Sequence, residues 1–315
     1  METLQSRKLY PYQSFILITV IMIVFIAVQI AGVFFLSGNI YLYQAICEIL
    51  GLAIPVLLFL LITNRVKDNI HIGKVSSRNL LIITAVVTLS IPFSMLLATF
   101  NMWVVENLFN VTSGIEDSIV IGNFEEYIKS ILVMALIPAI CEEIAFRTAF
   151  MAGLERLGKT LCFFFVSLFF SLAHMIPEKL LSTFALSVLL CYFLYRTGSI
   201  LSAILGHFIN NFIALTITFA TKDIPSGDDS AEILKAYGFT EYSLSFIVWG
   251  VLALMVLPLI IILFRKFNRY TETTKIIITK ELKMDGSALA AFLPAFTVFI
   301  ILVAMVIVNN ILTGL

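Results

Sequence analysis

Charge is what this chain has least of. Only 13% of its 315 residues are charged, while 60% are hydrophobic. Soluble domains carry about 25% charged and about 45–50% apolar residues. A water-soluble globular domain is therefore excluded, and an all-α polytopic membrane protein is expected. Formal net charge is zero, so no global field points to nucleic acid. The four cysteines include no CxxC pair, which argues against a disulfide framework or a thiolate metal site. Cys141, Cys162 and Cys191 lie in apolar stretches, where a thiol acts as a small hydrophobe. HExxH is absent, which leaves the zincin arrangement without support. No Gly-x-Ser context of the rhomboid kind occurs, and Cys141 points about 100° away from Glu142 on a helix. Serine and cysteine nucleophiles are disfavoured. Neither inverted repeats nor paired broken helices are visible, which argues against a transporter or proton relay.

Long apolar runs are abundant. They fall at about 15–36, 44–63, 79–100, 128–150, 161–177, 180–196, 199–220, 243–264 and 287–310. A helix needs about 20 such residues to cross a bilayer. Eight or nine spans are expected, because the fifth and sixth runs are short and separated only by 175–179. That pair reads as a tight helical hairpin or a re-entrant pair. The first run is too long for a cleaved signal and reads as a span. Basic residues collect in the loops at 64–78, 151–160 and 265–286, while 101–127 and 221–242 are acidic on balance. Nine spans with a cytoplasmic N-terminus put every basic loop inside. The expectation is one polytopic domain over 1–315, in the cell membrane, with its chemistry-bearing core at 130–215.

Three polar clusters interrupt the apolar runs. The first is Glu142-Glu143-x-x-x-Arg147. An acidic residue at mid-bilayer costs about 2.5–3.5 kcal/mol, so two neighbours need a partner, a wet cavity or a task. Glu143 and Arg147 are four apart and share a helix face, whereas Glu142 is turned about 100° away. Pro138 removes a backbone donor four residues earlier and is expected to open the helix beside the carboxylates. The second cluster runs from Phe170 to His174, and the third pairs His207 with Asn211. With a rise of about 1.5 Å per residue, Glu142 and His207 come out near the same depth and His174 deeper. The three are expected to share a wet cavity in or near the cytoplasmic half. His71 is expected to face solvent in a loop, and Glu48 is read as a structural residue near the outer interface.

EExxxR, FxxxH and HxxxN, in that order on separate membrane helices, resemble the CAAX-protease and bacteriocin-processing family, also called Abi or CPBP. Its Rce1-type members are intramembrane endopeptidases. The resemblance covers roughly 130–215. It implies that Glu142, working with His174, activates a water for attack on a peptide carbonyl. It implies that His207 and Asn211 donate to the oxyanion, and that Glu143, Arg147 and Phe170 support the site. Periodicity alone leaves the Glu142 and Glu143 roles exchangeable. The implied substrate is a prenylated CAAX tail or a small precursor peptide, cleaved near the cytoplasmic face. No cofactor is expected. The competing form is a zinc enzyme using Glu142, Glu143, His174 and His207, and a non-enzymatic immunity or scaffold protein is the second alternative.

Overall fold

The computed structural model describes residues 9–36, 38–109, 121–223, 240–278 and 282–313. Each apolar run forms a helix. These are α1 (Pro11–Leu36), α2 (Ile40–Ile62), α3 (Ser77–Phe109), α4 (124–154), α5 (Lys159–Ala173), α6 (Leu180–Thr197), α7 (Ile200–Thr221), α8 (Glu241–Tyr270) and α9 (Gly286–Thr313). No strand occurs among the described residues. Six helices are long and apolar enough to cross a membrane: α1, α2, α3, α6, α7 and α8. The chain is an integral membrane protein with a multi-pass helical bundle. Phe34 and Phe35 are 76% and 83% exposed, a placement that suits lipid and not water.

Two helices depart from the regular α pattern near the future site. In α2 a π-helical stretch, Cys47–Ala53, precedes Pro55. In α4 the stretch Ile131–Leu136 precedes Pro138, and a second one spans Ala145–Phe150. A proline cannot donate to the carbonyl one turn back, and the wider π turn absorbs that mismatch.

Helix α5 is short. Its 15 residues rise only about 22 Å, less than a hydrocarbon core of about 30 Å. It ends at His174, where Met175 takes the left-handed conformation with φ 53°. Residues 177–179 make one 3-10 turn, and α6 returns against α5. The fifth and sixth runs are thus a helical hairpin whose tip carries His174.

The loops sort to two ends. At one end the backbone of Ile200 donates to His71 (2.8 Å), Ile276 to Tyr195 (2.8 Å) and Leu282 to Arg156 (2.9 Å). Gly198 caps α6 at φ 64°, a conformation that favours glycine. At the other end Tyr127 bonds Thr216 (2.8 Å) and stacks on Phe219 (4.6 Å). Loops 64–76, 155–158 and the described parts of 271–285 therefore share one end. The core is aromatic. Phe15 of α1, Phe165 of α5 and Phe292 of α9 meet edge to face at 5.4–5.5 Å. Through them α1 and α9 buttress the helix that carries His174.

Candidate active site

The EExxxR spacing does what helix geometry requires. Arg147 Nε lies 3.1 Å from Glu143 Oε2, and both side chains are fully buried. Arg147 also donates to Ser187 Oγ of α6 at 2.7 Å, and its guanidinium lies over the Phe170 ring at 4.3 Å. The other oxygen of Glu143 meets His207 Nδ1 at 2.9 Å. Glu143 is therefore a bridge between Arg147 and His207, and it holds α4 to α7. Gly206, beside His207, lets α7 lie close on α6: a Cβ there would sit 2.9 Å from Leu190 of α6.

Glu142 faces the other way, into a cavity of about 490 Å³. Its Oε2 lies 3.9 Å from His174 Nε2 and 3.9 Å from His207 Nε2. Those distances exceed hydrogen-bond range, so three polar atoms converge without being tied to each other. His174 Nδ1 sits 2.8 Å from the Phe170 carbonyl. A carbonyl only accepts, so Nδ1 carries the proton and neutral His174 offers a bare Nε2 to the cavity. Phe170 thus orients His174 through its backbone and packs on His207 through its ring, at 5.7 Å.

Asn211 lines the same cavity one turn beyond His207. Its carbonyl oxygen accepts from the Asn210 amide (3.2 Å), which leaves its own NH2 free to donate. All the residues named from sequence thus come together, although His174 lies at the far end of α5 from its start at Lys159.

Three expectations need correction. Glu48 is buried, 3% exposed, with its Oε1 accepting from Gln44 (3.2 Å) and its charge within reach of Glu142. It belongs to the surroundings of the site and not to the outer interface, because α2 packs its π stretch on α4. His71 is paired with Glu155 at 3.3 Å, since its loop folds back on the bundle end. The cavity also runs away from the basic loops: beyond Glu142, His174 and His207 it is lined by Met134, Met95, Ile213 and Ile217.

Sequence reasoning passed over Ser187, Gln44, Asn210 and Lys179, all but the first on the cavity wall. Glu48 gives the same signal as Glu142, a carboxylate within an apolar run; a serine or glutamine in a helix gives none. Of the four residues a zinc form would use, Glu143 is engaged by Arg147 and His207. Among the described residues no group of three or more His, Cys, Asp or Glu is spaced to hold a metal ion.

The fold and this cluster define a multi-pass helical membrane protein with a carboxylate–imidazole site inside its bundle. Residues 124–213 match the family described as type II CAAX prenyl endopeptidase Rce1-like. That segment runs from the start of α4 into α7 and includes every residue of the three motifs. The likeness over that segment is to a prenyl endopeptidase family. No curated protein and no solved structure matches the chain.

Proposed function

We propose that the protein is an intramembrane glutamate-dependent endopeptidase. The observation that carries this reading is the convergence of His174 Nε2 and His207 Nε2 on Glu142 Oε2, each at 3.9 Å, at the cavity wall. Glu142 takes a proton from a water held between it and His174. The oxygen attacks the scissile carbonyl, and the C–N bond breaks as the proton passes to the leaving amine. One water is consumed, and an acid and an amine are released. Asn211 donates to the oxyanion through its free NH2. His207, whose Nδ1 is held by the Glu143 carboxylate, donates through Nε2 in its doubly protonated form. Glu143 and Arg147 are positioning residues. Donors aimed at charge that forms only in the transition state are the main source of acceleration in such sites.

The substrate is a peptide, either a prenylated CAAX-type tail or a small unlipidated precursor. A cleavage assay on purified protein, comparing a prenylated CAAX peptide with its non-prenylated form, separates these two. In that assay Glu142→Gln and His174→Ala each lower turnover by at least about 100-fold while leaving expression and folding intact. Near-normal turnover by either variant removes the reading. A cellular effect that survives both substitutions favours the non-enzymatic alternative. Glu142 and the imidazoles act without a metal in this scheme, so chelation leaves the rate within about two-fold. Stoichiometric zinc with loss of activity on chelation would favour the metal-dependent form.

A further inference from the structure

The cavity and the charged loops lie at opposite ends of the bundle. Arg65, Lys74, Arg78, Arg156, Lys159, Arg196, Arg269, Lys275 and Lys283 collect where loops 64–76, 155–158 and 271–285 meet. At the other end Lys129 pairs with Glu125 (2.6 Å) and Lys222 with Asp223 (3.1 Å). An excess of Lys and Arg in short loops marks the cytoplasmic side.

Each helix that lines the cavity does so on the far side of the site from that basic end. On α7 the wall runs from His207 to Ile217, ten residues or about 15 Å toward the acidic end. On α4 it runs from Glu142 up to Met134, and on α2 it is met by Gln44, near the acidic-end start of that helix. On α6, which descends from the hairpin tip, the wall stops at Leu186. Below the site the packing is closed. Arg147, Phe146, Phe150, Leu190 and Phe193 are all 0–1% exposed. Ile217, at the upper wall, is 49% exposed.

We propose that the site is reached from the non-cytoplasmic side of the membrane, so that its substrate is a peptide segment presented on that side. The access half of this inference stands on the cavity and the charges alone. The substrate half rests on the peptidase reading. A segment of a membrane-anchored or exported chain reaches Glu142 by this route, whereas a tail lipidated on the cytoplasmic face meets the closed floor.

The test uses full-length protein in intact cells and a membrane-impermeant maleimide. The native Cys47, Cys141, Cys162 and Cys191 are buried, so their background is low. Ile217→Cys reports the upper cavity and Lys74→Cys the basic end. The expected result is labelling of Ile217→Cys in intact cells and of Lys74→Cys only after permeabilisation. Labelling of Ile217→Cys only after permeabilisation, or under neither condition, overturns the proposal. Labelling of Lys74→Cys in intact cells overturns it too, by reversing the orientation. None of these failures touches the peptidase reading, which the Glu142→Gln assay decides in detergent.

Discussion

Glu142 and Glu143 are adjacent in sequence and opposite in environment. Glu143 is fully buried between Arg147 and His207, while Glu142 is 13% exposed at the cavity. The hundred-degree turn between neighbours on a helix is enough to separate them, and it was legible from spacing. Ser187 was not, because nothing in an apolar helix marks which serine will meet a buried guanidinium. Removing one partner of a buried ion pair leaves an uncompensated charge and costs about 3–5 kcal/mol. Arg147→Met is therefore expected to lower thermal stability in detergent by that order. Arg147→Lys restores only part, since a point charge cannot reach Glu143, Ser187 and the Phe170 face together. An unchanged melting temperature in Arg147→Met would show that the pair is dispensable.

At the scale of elements, the placing of His174 depends on how α5 ends. Met175 at φ 53° stops the helix, and the chain turns at once into residues 177–179. An L-residue in that region costs about 1–2 kcal/mol, and a β-branched one is disfavoured further. Met175→Val is expected to lower turnover about ten-fold or more by shifting His174, whereas Met175→Gly keeps it within about three-fold. Equal rates for the two variants would argue that the turn does not set the imidazole. The short runs and the brief break at 175–179 made a hairpin or re-entrant pair legible in the sequence. The π stretches in α2 and α4 were not, because Pro55 and Pro138 mark where a helix is disturbed and not how it recovers.

At the scale of the whole molecule, the basic end is tied together by side chains as well as backbone. Arg196 of α6 reaches Glu272 at 3.1 Å, and Lys275 bonds the same carboxylate. Asp285 caps α9 by accepting from Ala288 N–H (2.8 Å) and Ser287 Oγ (2.7 Å), and these bonds hold its carboxyl below the usual range. A carboxyl lowered by folding stabilises above its unfolded pKa of about 3.9, and that contribution is lost as pH falls through the folded value. Asp285→Asn keeps the cap and removes the titration. The wild type is expected to melt higher near neutral pH and to converge with the variant as pH falls through the lowered folded value. A constant gap between the two across that range would remove the capping carboxylate from the account.

Hydrophobic run length, loop charge and the spacing of EExxxR, FxxxH and HxxxN determined the helical bundle, the alternation of its ends and the residues that meet. These are local or periodic properties, and a membrane leaves a backbone little choice but to be helical through each run. Only the tertiary structure decided that Glu143 bridges Arg147 to His207, that Glu48 lies beside the site, and that the cavity extends away from the basic end. Each of these depends on which face one helix turns to another. In an apolar bundle that choice is made by the fit of side chains across several helices at once, which no single run of sequence records.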